Sequence, residues 1–331
     1  MELSNKVKKS ISNYLNISDK YVIAIAIYNK GKEEYITLNK DGIVNNANLY
    51  FDLGSISKTF TAHLTLKLCD DGLLDLDTSI SNYLDLKPGI YPTIRQLLSH
   101  QCGYHHLSPV QITVPALLRH SYQKHNIYQN ITNDDVIKLI KPKSKKEYAY
   151  SYSDFPYAVV ACLISKILNR PFGYILQDFI TNDLKLLDTK LGYNVTRNIN
   201  GYIKNKPVEF WKWKSNNPYL SGGGVISNIK DVLNYIKIEL QSDKKYIKDA
   251  HKKMADKGHI IPCLGWHSYD KSNQLWHVGG VGTFRSSIII NKKSQVGVAV
   301  LGNAKGIKNG NIHYIAKQLY SEIKRNKIYL K

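Results

Sequence analysis

Cysteine is scarce in this sequence: Cys69, Cys102, Cys162 and Cys263 are the four in 331 residues, and no two form a Cys-x-x-Cys pair. That spacing argues against a disulfide framework and leaves reduced core thiols as the expectation. Acidic residues are also in deficit. Asp and Glu number 26 against 46 Lys and Arg, for a net charge of +20. Such an excess favours acidic partners and raises nucleic-acid binding as a function. The basic residues are spread along the chain, however. Their densest groups, Lys141 to Lys146 and Lys244 to Lys257, read as solvated faces. There is no RNP-like motif, zinc-finger spacing or basic leucine-zipper pattern, so a nucleic-acid role would rest on charge alone. Long apolar runs are missing too. No window approaches the ~18 residues of a membrane span, and none is expected. The N-terminal MELSNKVKKSISNYLNISDK has no apolar core of the signal-peptide kind, so a soluble cytoplasmic protein is the expectation. Internal repeats and low-complexity linkers are absent as well.

What is present is enough apolar material for a large core, with 43% hydrophobic residues. Residues 5–15 read as an amphipathic helix. Tyr21 to Tyr28 and Glu34 to Leu38 read as strands joined by the hairpin turn Asn29-Lys30-Gly31-Lys32. After Tyr50 to Leu53, Phe60, Leu64 and Leu68 recur at helical spacing until Gly72. Helical periodicity then dominates to about residue 250. Thr93 caps IRQLLSH, Ala158 to Leu168 is strongly apolar, and Ser227 is the expected cap of a helix through Leu240. Cys263 to Ser268, Thr283 to Ile290 and Gln295 to Leu301 read as strands, and a helix from about Asn311 to Lys324 closes the chain. Strands at both ends and helices between them predict an α/β lobe from residues 1–58 and 260–331. Its antiparallel sheet is flanked by helices, and residues 59–259 form a mainly helical lobe. A site is expected in the cleft between the lobes.

Three segments carry candidate chemistry. In Gly54-Ser55-Ile56-Ser57-Lys58, serine and lysine stand three apart, on one helix face. A serine needs a neighbouring base to become a nucleophile, and a lysine serves as one only when its pKa is depressed. The plainer reading of the pair alone is an N-capping serine and a solvated lysine. Tyr148-Ala149-Tyr150-Ser151-Tyr152-Ser153-Asp154 places tyrosines before an apolar helix, and a tyrosine beside an ammonium can work as a base. A tyrosine-rich loop packed on the core is the alternative. Trp276-His277-Val278-Gly279-Gly280-Val281-Gly282-Thr283 puts glycines in a strand, where a substrate can approach backbone N–H groups. The alternative there is a glycine-rich turn. His100, Cys102, His105 and His106 could hold zinc, but the adjacent histidines do not match common spacings. A helix end followed by a loop is the preferred reading.

Taken in order, these segments resemble the serine β-lactamase and penicillin-binding-protein superfamily, and most of all its class C branch, which includes D,D-carboxypeptidases, D-aminopeptidases and esterases. FDLGSISKTFTAHL resembles the nucleophile segment, YSYSDFPYAVVACLI the Tyr-x-Asn segment, and HVGGVGTFRS the third motif. TIRQLLSHQCGY, YLSGGGVISNIKDVLNYI and VGVAVLGN are similar to supporting segments, so the resemblance covers nearly the whole chain. It implies Ser55 as acylated nucleophile and Lys58 with Tyr152 as the proton-transfer network. It implies Ser55 and Gly280 N–H groups as the oxyanion hole. His277, with Gly279, falls where the third motif meets substrate or supports proton transfer. No metal or organic cofactor is implied. The implied activity is serine hydrolysis through an acyl-enzyme on a D-residue-containing amide or peptide, or on an ester. The alternatives are a β-lactamase or a penicillin-binding-like sensor that does not turn over. The partner is a small molecule or peptide, with β-lactams as candidate ligands. Oligomeric state is open.

Two departures stand out. Asp154 occupies the Asn position and, ionised, can only accept hydrogen bonds. It would either bind a donor such as a substrate amine or pair with Lys58. His277 stands where classical β-lactamases carry lysine, which favours a peptidase, amidase or esterase.

Overall fold

The computed structural model describes residues 3–44, 46–119, 125–307, 310–325 and 328. Its strands are β1 (Ile23–Asn29), β2 (Lys32–Asn39), β3 (Gly42–Ile43), β4 (Phe51–Asp52), β5 (Lys190–Leu191), β6 (Gly201–Ile203), β7 (Lys206–Val208), β8 (Val225–Ser227), β9 (Ile261–Pro262), β10 (His267–Ser268), β11 (Leu275–Val281), β12 (Phe284–Asn291) and β13 (Val296–Gly302). Its helices are α1 (Asn5–Leu15), α2 (Ser57–Asp70), α3 (Ile94–Leu98), α4 (Val110–Leu118), α5 (Asn133–Leu139), α6 (Phe155–Ile167), α7 (Phe172–Asp178), α8 (Leu220–Gly223), α9 (Ile229–Gln241), α10 (Lys245–Ala250) and α11 (Ile312–Lys324).

The two ends of the chain meet in one antiparallel sheet of order β3-β2-β1-β13-β12-β11-β10-β9. The join is β1 on β13, with Ala26 opposite Ala299. Both strands are buried on both faces, which explains their unbroken apolar runs. Ile23, Ile25 and Ile27 face the core shared with α1 and α11, while Ala24, Ala26 and Tyr28 face the larger core. The hairpin turns at Lys30 (φ 50°) and Gly31 (φ 92°), the positive-φ pair a two-residue turn requires.

Several local expectations are corrected. Cys263 to Ser268 is not one strand: Cys263 to Trp266 make a tight turn between β9 and β10, closed by Cys263 N–H donating to the Trp266 carbonyl at 2.8 Å, and His267 and Ser268 alone are strand. Gly265 sits there at φ 82°, where a Cβ would lie 2.7 Å from Ala62 Cβ on α2. The cap of α9 is Asn228, whose side chain accepts from Asp231 N–H at 2.9 Å, and Ser227 ends β8. That helix also packs on the sheet, with Tyr235 on its other side stacked 4.2 Å from Phe60 of α2. An added Cβ on Gly297 of β13 would come 2.2 Å from Ile236. Helix α2 is not amphipathic: it is buried all round from Ser57 to Leu66. Its hydroxyls are satisfied internally, Thr61 Oγ1 donating to the Ser221 carbonyl at 2.8 Å and Thr65 Oγ1 to the Thr61 carbonyl at 2.7 Å. No single described helix is long and apolar enough to cross a membrane.

Candidate active site

The turn into α2 is set by Gly54. Its φ of 53° lies in the left-handed region, and a Cβ there would come 2.4 Å from the Gly280 nitrogen. Glycine therefore lets residues 54–56, a single 3₁₀ turn, lie directly against β11. Gly279 allows the same approach from the other side, since a Cβ on it would meet the Leu53 carbonyl at 1.9 Å. Asp52, just upstream, is anchored by a buried two-pronged pair with Arg197.

Ser55 stands in this turn and is partly open to the cleft. It makes no cap hydrogen bond, and Lys58 is fully buried, so the capping-serine, solvated-lysine alternative does not hold. Lys58 Nζ reaches three acceptors: Ser55 Oγ at 3.2 Å, Asp154 Oδ1 at 2.6 Å and the Gly222 carbonyl at 3.0 Å. An ammonium has three protons to donate, and here all three have partners. Burial alone would push the Lys58 pKa down. The Asp154 carboxylate, with Tyr152, overrides it and holds the group above its ordinary value.

Tyr152 lies beside this ammonium, with Nζ 5.1 Å from its ring centre. Burial raises the Tyr152 phenol above its ordinary value, while the Lys58 charge and hydrogen bonding to Ser55 and Lys58 pull it down only in part. In the free protein the pair is thus an ammonium and a phenol, and it titrates as a unit. To act as a base toward Ser55, that unit would first have to lose one proton.

Asp154 opens α6 with helical dihedrals and no cap bond to the backbone, which leaves its carboxylate for Lys58. The side chain is still 39% exposed, so its outer face also meets the cleft. His277 is buried on β11. Its Nδ1 lies 2.9 Å from the Val278 carbonyl. A carbonyl only accepts, so Nδ1 carries the hydrogen and Nε2 is the acceptor. Burial, then the His267 and Lys58 charges, hold this imidazole well below its usual pKa. It is therefore neutral, and Nε2, which no described protein group hydrogen-bonds, is free to accept a hydrogen bond but not to donate one.

Ser55, Tyr152, Asp154, His277, Gly279 and Gly280 line one cavity of about 810 Å³, with Lys58 beneath its floor. Other contributors were not identified from sequence. His100, weighed above as a metal ligand, adopts φ 57° and packs against Tyr152 with ring centres 4.5 Å apart and planes tilted by 42°. Its Nδ1 accepts from Ser153 N–H at 3.4 Å and its carbonyl from Ser151 N–H at 2.9 Å, so it moulds the tyrosine segment. His105 and His106 are exposed, and no described metal-type cluster includes this histidine–cysteine group. His267 Nε2 pairs with Tyr150 Oη at 2.9 Å. Trp211, Trp213, Tyr128 and Tyr219 form an aromatic wall, with the last two stacked 3.9 Å apart. Nothing local marks those four among 24 tyrosines and four tryptophans.

The histidines under the cleft predict acid sensitivity. Burial lowers His267 from 6.5 to about 4, and His100 and His277 are lowered by the same cause. Below pH 6.5 the unfolded chain binds protons that the folded chain refuses, so stability present above that pH is lost as pH falls toward 4. His267 alone should account for a loss on the order of 3 kcal/mol. Urea unfolding between pH 7.5 and 4.5 checks this, and a flat stability profile would contradict it.

An antiparallel sheet built from both chain ends, a helical half and a cleft between them is the architecture of the serine β-lactamases and penicillin-binding proteins. The family model described as Beta-lactamase matches residues 15–320, and the chain belongs to that family. Protein flp of Staphylococcus aureus (strain MW2) is 22% identical over 302 residues, spanning 84% of this chain and 57% of its own. A beta-lactamase of Providencia stuartii is 26% identical over 242 residues, spanning 68% of this chain and 57% of its own. The chain thus spans 57% of the length of these curated relatives. The octameric penicillin-binding protein homologue from Pyrococcus abyssi superposes with a TM-score of 0.76 at 18% identity, covering 99% of this chain and 78% of the other. A beta-lactamase/D-alanine carboxypeptidase from Pseudomonas syringae gives 0.74 at 17% identity, covering 98% and 99%. At such identities the likeness is one of fold.

Proposed function

We propose that this protein is a serine hydrolase that works through an acyl-enzyme on an amide or peptide containing a D-residue, or on an ester. The observation that carries the reading is Lys58 Nζ, 3.2 Å from Ser55 Oγ, under a large cleft. In this reading Ser55 Oγ attacks the carbonyl carbon, and its proton passes into the Lys58–Tyr152 unit and on to the leaving amine or alcohol. The Ser55 and Gly280 N–H groups hold the developing oxyanion, each worth about 3 kcal/mol of barrier. Water then enters, the same unit takes its proton, and the acyl–oxygen bond breaks to restore Ser55. Gly279 lets the substrate lie close to β11, and neutral His277 accepts a proton or hydrogen bond at Nε2. The lobes of the reading are residues 1–58 with 260–331, and 59–259, with α9 on the sheet side. The D-residue preference is supported by the names of structural neighbours from Pseudomonas syringae and Yersinia pestis, both beta-lactamase/D-alanine carboxypeptidases.

The test is intact mass after incubation with a fluorescent penicillin and, separately, a fluorophosphonate, followed by turnover of D-aminoacyl anilides, p-nitrophenyl esters and nitrocefin. An adduct with release of anilide or ester product supports the proposal. Fast nitrocefin turnover alone would favour a β-lactamase, a permanent adduct a sensor, and no adduct on folded protein would refute serine hydrolysis.

Asp154 adds a pH prediction. In Asp154→Asn the carboxylate is gone and only Tyr152 still opposes burial, so the Lys58 pKa falls. The limb of the pH–rate profile that reports loss of a proton from the Lys58–Tyr152 unit should move to lower pH by about one unit or more. Acylation rates from pH 6 to 10 check this. An unmoved limb, with equal loss only for substrates bearing a free amine, would instead assign Asp154 to amine recognition.

A further inference from the structure

We propose that His63, Glu239 and His251 form a buried binding site for a zinc-type divalent cation, outside the cleft, that ties α2 to the two elements packed behind it. His63 lies on α2, the helix of Lys58. Glu239 lies on α9, and His251 is the C-cap of α10. One ligand atom from each falls within 4.8 Å of the others. None of the three lines the cavity above Ser55, so the inference stands apart from the proposed hydrolysis.

The distances suit a small ion. Nδ1 of His63 is 3.4 Å from Glu239 Oε1, and His251 Nε2 is 2.7 Å from Glu239 Oε2. Ligands about 2.0–2.1 Å from a tetrahedral zinc stand about 3.3 Å from each other. The first separation already fits; the second, to the other carboxylate oxygen, needs to open by about 0.6 Å. A fourth corner is at hand in the Tyr235 hydroxyl, 3.3 Å from His63 Nδ1 and 2.6 Å from Thr59 Oγ1.

The donor set narrows the ion. Two imidazoles and one carboxylate are a zinc-type set, whereas calcium and magnesium take oxygen ligands. Charge points the same way. His63 and Glu239 are fully buried, and no hydrogen bond of good geometry reaches Glu239 Oε1, the oxygen that faces His63 Nδ1. A buried carboxylate needs a compensating charge, and a divalent cation supplies it with both imidazoles neutral. The competing account is a metal-free cluster in which His251 alone pairs with Glu239.

The two accounts separate by direct binding. The 331-residue untagged chain is stripped with EDTA, dialysed against micromolar zinc chloride and assayed for bound metal by mass spectrometry, and then loaded with cobalt(II) for its visible spectrum. Wild type should bind one equivalent and melt several degrees higher with zinc. Cobalt should give the intense bands of a four- or five-coordinate nitrogen–oxygen site. His251→Gln, at the least buried of the three positions, and Glu239→Gln should weaken binding at least about 100-fold while remaining folded by circular dichroism. Substoichiometric zinc on wild type, binding undiminished in both variants, or a weak six-coordinate cobalt spectrum would overturn the site. The wild-type stoichiometry and cobalt spectrum decide even if a variant fails to fold.

Discussion

Ser55→Ala should leave a folded chain that forms no covalent adduct with either probe and loses at least about 10⁴-fold in turnover of its best substrate. The size of the loss follows from the chemistry. Without Oγ no acyl-enzyme forms, and only the oxyanion donors and binding remain to assist direct attack by water. The fold should barely notice. Ser55 is partly exposed, its side chain caps no helix, and the geometry that holds the turn belongs to Gly54 against Gly280. Lys58 loses one hydrogen-bond acceptor but keeps Asp154 and the Gly222 carbonyl. Intact mass and thermal melts report the two halves of this expectation. An adduct of unchanged mass on Ser55→Ala would move the nucleophile elsewhere.

Lys58→Met, nearly equal in volume, should lower the acylation rate by about 10³-fold with Ser55 still in place. The variant loses the cation that sits on Ser55 Oγ, and with it the charge that draws the Tyr152 phenol toward ionisation. It should also lose stability. The Gly222 carbonyl and the Asp154 carboxylate each lose their ammonium partner, and Asp154 is less costly to strand because it is 39% exposed. Adding Asp154→Asn removes that stranded charge and should recover stability without recovering rate. Single-turnover acylation and urea unfolding of both single variants and the double variant close the cycle. Acylation at the wild-type rate in Lys58→Met would remove Lys58 from proton transfer.

Much of the site was legible in sequence because its motifs are local. Ser55 and Lys58 are three residues apart, Tyr152 and Asp154 two, and Gly279 and Gly280 adjacent. The strands were legible for a similar reason: β1 and β13 are buried on both faces, so their apolar runs are continuous. The errors fell where a local pattern has two solutions. Cys263 to Ser268 has strand composition, yet Gly265 packs on α2 and turns it back. Ser227 and Asn228 can both cap a helix, and Ser227 was taken into β8. His100 is one of 11 histidines, and its role depends on packing against a tyrosine 52 positions away in sequence.

By itself, then, the sequence determined the identity and order of the chemical groups, the antiparallel sheet drawn from both ends of the chain, and the family. Only the tertiary structure decided the protonation of those groups. The state of Lys58 is set by a carboxylate 96 residues away, set against complete burial. The tautomer of His277 follows from one carbonyl, and its neutrality from its burial in the core. The pairing of His63 with Glu239 and His251 requires α2, α9 and α10 to converge. A pKa is the free-energy difference between charged and neutral forms in one particular surrounding. Residue type and spacing do not define that surrounding. It exists only once distant segments have packed together.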